Sequence, residues 1–123
     1  MKNVLIVDDD RVVLSSCKRI LESEGYATSL TSNVNQALQI LKEKNFDLIL
    51  VDVIMPEYDG IYLIGNVRQM LPDLPILVMS GYPTPETISS GLRMGATHFI
   101  AKPFTPDELI DAVHKALGEP KGK

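Results

Sequence analysis

Residues 48–51, Leu-Ile-Leu-Val, run without a polar break into Asp52, and Met55-Pro56 and Asp59-Gly60 follow closely. Such a short, branched apolar run has no polar face, so it reads as a strand covered on both sides, the signature of a parallel sheet. Pro56 removes a backbone donor and Asp59-Gly60 favours a tight turn, so the strand cannot continue. Asp52 is thereby carried to the strand end, the edge at which an open parallel sheet exposes its ligand crevice.

The rest of the chain repeats this pattern. Residues 3–7, Asn-Val-Leu-Ile-Val, form a second buried run that stops at Asp8-Asp9-Asp10. From Val13 the apolar positions Val13, Cys17, Ile20 and Leu21 make one helical stripe, with Gly25 as its stop. Tyr26 to Thr31 is a short, partly polar strand suited to a sheet edge, and Ser32 or Asn33 caps a second helix with the stripe Val34, Ala37, Leu38 and Leu41. A third helix carries Leu63, Ile64, Val67 and Leu71 and halts before Pro72 and Pro75. Ile76 to Met79 is a strand delivering Ser80, and Thr84-Pro85 opens a fourth helix. Ser89, Ser90 and Gly91 make that helix the least stable of the set. Thr97 to Ala101 is the last strand, ending at Lys102-Pro103, and Thr105-Pro106-Asp107-Glu108 is a capping box for a helix through Leu109, Val113, Ala116 and Leu117 to Gly118.

Five strands alternating with five helices predict an α/β, doubly wound domain with a five-stranded parallel sheet of order 2-1-3-4-5. The domain is expected to span residues 1–118, with 119–123 as a C-terminal tail or the start of a linker. The chain holds 16 acidic and 12 basic residues, a net charge of -4, and its bases are scattered, which argues against nucleic-acid binding by this segment. No apolar stretch of about 18 residues and no charged-then-apolar leader is present, so no membrane span or signal peptide is expected. Cys17 is the single cysteine, which excludes an internal disulfide and fits a reducing, cytoplasmic setting.

The predicted topology gathers Asp8, Asp9, Asp52, Ser80 and Lys102 at one edge of the sheet. Three carboxylates that close repel one another, so one must hold a proton or a cation must sit among them. An all-oxygen set suits Mg²⁺, and there is no histidine or cysteine set for zinc; His98 and His114 read as isolated surface residues. A carboxylate beside a divalent ion, a hydroxyl and an ammonium can accept a phosphoryl group as an acyl phosphate. Asp52 would be the nucleophile, already ionised and in need of no base, with Lys102 neutralising phosphoryl oxygens and Ser80 donating a hydrogen bond. Asp10 serves as a helix N-cap.

Val-Asp-Asp-Asp at 7–10, Val-Asp-Val-Ile-Met-Pro-x-x-Asp-Gly at 51–60, Met-Ser-Gly at 79–81 and Ala-Lys-Pro-Phe at 101–104 resemble the receiver domain of bacterial two-component response regulators. The resemblance covers residues 3–118 and implies a flavodoxin-like (βα)5 sandwich that acts as a phosphorylation-dependent signalling switch. In that family the counterpart of Asp52 is the phosphoacceptor, loaded from a sensor histidine kinase or a phosphotransfer protein. Asp9 and Asp52 would ligate Mg²⁺ directly, Asp8 through water, and Ile54 through its backbone carbonyl. Lys102 and Ser80 match the phosphoryl-contacting pair, and Lys102-Pro103 is expected to be cis. Phe99 falls at the position of the switch aromatic, although without the hydroxyl of the tyrosine many members carry there. Ile54 and Tyr82 occupy the two positions that tune lifetime; both are bulky and neither can orient a water, so slow self-dephosphorylation is expected.

The resemblance further implies a phosphoacceptor signalling domain rather than an enzyme, with a response on the face formed by helix 4, strand 5 and helix 5 that controls an output domain or protein. It leaves room for a homodimer through that face. Two alternatives stay open. Asp8-Asp9-Asp10-Arg11-Val12 also fits the nucleophile motif of haloacid dehalogenase phosphatases, which however want a further acidic pair on a later strand end. The other is a receiver-like interaction module that is not phosphorylated.

Overall fold

The computed structural model describes residues 2–52, 60–81 and 84–118. Its elements run β1 (Asn3–Val7), α1 (Arg11–Ser23), β2 (Ala27–Thr31), α2 (Val34–Glu43), β3 (Leu48–Asp52), α3 (Gly60–Met70), β4 (Ile76–Ser80), α4 (Pro85–Met94), β5 (His98–Ala101) and α5 (Pro106–Leu117). All neighbouring strands are parallel, in the order β2-β1-β3-β4-β5. The expected α/β doubly wound topology is thus the observed one.

Side chains alternate between the faces of a strand, so each buried run feeds two cores. Leu5, Val7, Ile49, Val51, Ile76 and Val78 pack against α2 and α3 through Val34, Ala37, Leu41, Leu63, Ile64 and Val67. Val4, Ile6, Leu48, Leu50, Leu77 and Met79 face the other way, onto Leu14, Cys17 and Leu21 of α1 and Leu109, Val113 and Ala116 of α5. A strand with one polar face could not serve both layers, which is why β1, β3 and β4 carry unbroken apolar runs.

The helix ends follow the local chemistry. Asp10 accepts the Val12 N–H at 2.9 Å, so α1 starts at Arg11, two residues before the expected Val13, and Leu14 joins its buried stripe. Asn33, rather than Ser32, caps α2 by accepting the Gln36 N–H. The capping box of α5 is complete: Thr105 accepts from the Glu108 N–H and Glu108 from the Thr105 N–H. Gly118, at φ 71°, ends that helix in the left-handed conformation that glycine tolerates best. Leu71 lies one residue past α3 yet still packs against the core.

One expectation is corrected. His114 is not an isolated surface residue: it is half-buried, with its ring edge-on to buried Tyr26 at 6.4 Å between centroids. Position on the inner shoulder of α5, one residue after buried Val113, brings it under the α1–β2 connection. His98 is exposed, as expected.

Candidate functional site

Strand register assembles the site. Val7 pairs with Val51, so Asp8 comes level with Asp52; Asp52 pairs with Met79, and Ser80 pairs with Ala101, so Lys102 follows at the same edge. The Lys102 N–H donates to the Ser80 carbonyl at 2.8 Å and continues the ladder one step beyond β5.

Alternation then sorts these side chains by face. Asp8 follows Val4 and Ile6, Asp52 follows Leu48 and Leu50, and Lys102 follows Ile100, all on the α1/α5 side. Ser80 instead has the parity of Ile76 and Val78, on the α2/α3 side, which is also the side of Phe99. The observed contacts obey this division. Lys102 Nζ donates to Asp8 Oδ2 at 2.8 Å and to Asp52 Oδ2 at 2.9 Å, bridging two carboxylates from β1 and β3. Ser80 is fully buried, and Phe99 is half-buried against the α2/α3 core.

The environment of each charge differs. Asp8 has no exposed surface, Asp52 is 6% exposed, and Asp9 stands open to solvent. Burial raises the pKa of Asp8; the hydrogen bonds from Lys102 and from the Asp10 N–H oppose the rise, and the neighbouring Asp52 charge adds to it. Burial works against the Lys102 ammonium too, but its two carboxylate partners outweigh that and raise its pKa. One ammonium is thus set against three carboxylates.

Ligand oxygens of Asp8, Asp9 and Asp52 all lie within 4.8 Å of one another. This all-oxygen cluster, closed by protein on the Asp8 side and open at Asp9, could hold a hard divalent cation with room for water ligands. Of the remaining expected site residues, Ile54 and Tyr82 lie outside the described residues. The Lys102–Pro103 bond is cis. Asp107 and Glu108 sit in the first turn of α5, with Glu108 in the capping box, so they are not an acidic pair on a strand end.

Two features escape a reading of the sequence. A hollow of about 530 Å³ opens beside Lys102, lined by Val12, Val13, Cys17, Gly81, Pro103 and Phe104. Val12 is 73% exposed there, an apolar residue that the helical stripe of α1 does not account for. The salt bridge from Lys102 to Asp8 is the second; alternation along β1 and β5 carried its signal, because it puts both residues on one face.

The profile of the family described as "Response regulator receiver domain" matches residues 4–114. Among curated relatives, the transcriptional regulatory protein ZraR of Escherichia coli O157:H7 is 36% identical over 115 residues, covering 94% of this chain and 26% of that protein. The chain therefore spans about a quarter of the length of the curated relatives it matches. A CheY-like response regulator receiver domain protein from Methanospirillum hungatei JF-1 superposes with a TM-score of 0.91 at 31% identity, over 96% of this chain and 94% of its own. The beryllofluoride-activated NtrC4 receiver domain dimer superposes with a TM-score of 0.90 at 33% identity, over 96% of this chain and 98% of its own.

Proposed function

This chain belongs to the response regulator receiver domain family, and we propose that it is a signalling switch thrown by phosphorylation of Asp52. The observation that carries the reading is the bridge from Lys102 to Asp8 and Asp52, beside exposed Asp9. The Asp52 carboxylate is thereby held on stiff strand backbone at the edge that exposed Asp9 opens to solvent, with a cation already in contact.

Asp52 attacks the phosphorus of a phosphohistidine on a sensor kinase or phosphotransfer protein; the new O–P bond forms as the P–N bond breaks, and its electron pair leaves on the imidazole. Asp9 and Asp52 would hold Mg²⁺ directly, Asp8 would act through water and the Ile54 carbonyl would complete the set, and the bound ion would supply neutralising charge for the phosphoryl oxygens. Lys102 loses a carboxylate partner when Asp52 becomes an acyl phosphate and gains a phosphoryl oxygen in its place. Ser80 donates to another of these oxygens, and Phe99, on the same face, repacks as Ser80 shifts. The change reaches the surface of α4, β5 and α5, which controls an output domain or protein. Residues 1–118 form the receiver, with 119–123 as tail or linker, and dimerisation through that surface is one form the output can take.

Among the described residues no helix is long and apolar enough to cross a membrane. We place the domain in the cytoplasm, where kinase donors reside, and assign it no direct contact with nucleic acid. Bulky Ile54 and Tyr82 predict slow self-dephosphorylation. The test is intact mass after incubation with Mg²⁺ and acetyl phosphate: a gain of one phosphoryl group that requires Mg²⁺ and vanishes in Asp52→Asn is expected. No gain from either acetyl phosphate or a phosphorylated histidine kinase would leave an unphosphorylated binding module.

A further inference from the structure

The C-terminal end of α4 is tied to α3 through one arginine. At its C-terminal end, Arg68 of α3 donates from Nη1 to the carbonyls of Leu71 at 3.1 Å and Pro72 at 2.7 Å, and from Nη2 to the carbonyl of Gly95 at 2.6 Å. One planar guanidinium thus satisfies carbonyls just past the ends of both α3 and α4, where the two helix dipoles favour a cation. Gly95 has φ +120°, and a Cβ there would lie 2.8 Å from Arg68 Nε and 3.0 Å from its Cγ, so the absence of a side chain admits the arginine stem.

Further bonds tie the same corner down. Gly95 N–H donates to Leu92 and Ala96 N–H to Gly91, closing the last turn of α4. Thr97 N–H donates to the Ile76 carbonyl at 2.8 Å, and the Ile76 N–H donates to Thr97 Oγ1 at 3.0 Å, anchoring the next residues to β4. Met94 packs its terminal methyl against the bare face of Gly65 on α3. At the other end the Ile88 N–H donates to the Thr84 carbonyl at 3.0 Å and opens the first turn, Thr84, Pro85 and Glu86 are exposed, and the intervening Ser89-Ser90-Gly91 has low helix propensity.

We propose that Arg68 clamps the C-terminal end of α4 to α3 and makes Gly95 the pivot of the helix, so that α4 responds by swinging its N-terminal turns, those nearest Ser80. The swing as a response to Asp52 rests on the reading given under Proposed function; the clamp itself does not. Arg68 is a positioning residue, outside the acceptor chemistry.

Hydrogen exchange by mass spectrometry on the full chain tests both, with and without beryllofluoride and Mg²⁺. In the unloaded wild type, amides 91–97 should exchange at least tenfold more slowly than amides 86–89. Arg68→Ala should speed exchange at 91–97 by tenfold or more, leave β1 and β3 unchanged, and leave phosphoryl uptake from acetyl phosphate within about twofold of wild type. Arg68→Lys keeps charge and stem but cannot reach three carbonyls, so it should fall between the two; it also serves if Arg68→Ala does not fold. On beryllofluoride loading, the change in wild type should be confined to 84–90, and in the variants should spread through 97.

Uniform exchange along α4 in the wild type, or unchanged protection at 91–97 in both variants, would overturn the clamp. A loading response as large at 91–97 as at 84–90 would overturn the pivot. Failure of the acceptor reading shows separately, as no phosphoryl mass on wild type, and the clamp is then decided by the unloaded comparison alone.

Discussion

Lys102 Nζ lies 2.9 Å from Asp52 Oδ2, although 50 residues separate them in the chain. The contact exists because β5 and β3 end at the same edge and because Lys102 and Asp52 share the α1/α5 face of the sheet. The same ammonium reaches Asp8, which has no exposed surface at all. Lys102 thus holds the edge of the resting fold together, and under the proposed function the same ammonium would transfer to a phosphoryl oxygen.

Removing that ammonium should be costly. Lys102→Met leaves two buried carboxylates without their cation, and we expect a loss of about 2 kcal/mol or more at neutral pH, less than the roughly 3–5 kcal/mol of a fully buried pair because the site opens to water at Asp9. Urea denaturation measures it. Adding Asp52→Asn to Lys102→Met should recover part of the loss, whereas additive losses would mean that the bridge contributes little.

The pH dependence has a definite sign. The pKa of Asp8 is raised by folding, so the folded state binds its proton more tightly than the unfolded chain does. In Mg²⁺-free buffer its penalty is fully present above the folded pKa and relieved as the pH falls through that value toward the ordinary 3.8. Asp8→Asn should stabilise the metal-free protein at pH 7 and flatten the pH profile of its melting temperature on the acid side. A profile identical to wild type would assign the charge penalty elsewhere.

Mg²⁺ should stabilise the fold by mass action, by about 2.7 kcal/mol at a hundredfold excess over its Kd, and so raise the melting temperature. Asp9→Asn should abolish this gain and leave the metal-free melting temperature within a degree or so of wild type, since Asp9 is exposed. Titration followed by differential scanning fluorimetry separates the two effects. A large drop without metal would give Asp9 a structural role instead.

Cys17 is fully buried between α1 and the sheet, and burial, with the Asp8 charge adding, pushes its thiol up to about 12. At pH 8 the thiolate is then about one part in 10⁴. Iodoacetamide should leave the folded protein unlabelled over hours and modify Cys17 within minutes in urea, read by intact mass. Rapid labelling of the folded protein would show that the hollow beside Lys102 admits the reagent to the Cys17 sulfur.

Much of this was written in local pattern. The unbroken runs at 4–7, 48–51 and 76–79 announce strands covered on both faces, and Asp8, Asp52 and Ser80 announce their ends, because each polar residue stands where the apolar run stops. The capping box at Thr105 and Glu108 is equally local, as bonds between neighbours depend on little else. Periodicity left helix starts uncertain by about two residues at α1, where the cap of Asp10 rather than the apolar stripe sets the boundary.

The sequence by itself determined the order of elements, the two-layered core and the set of groups delivered to one edge. Tertiary structure decided which of those groups meet. Register and face parity send Lys102 to Asp8 and Asp52 and set Ser80 on the opposite side with Phe99. Packing of α5 against the α1–β2 connection sets half-buried His114 beside Tyr26, and the approach of α4 to α3 gives Arg68 its hold on Gly95. These contacts join residues distant in the chain, and their distances depend on how whole elements pack, which no local pattern encodes.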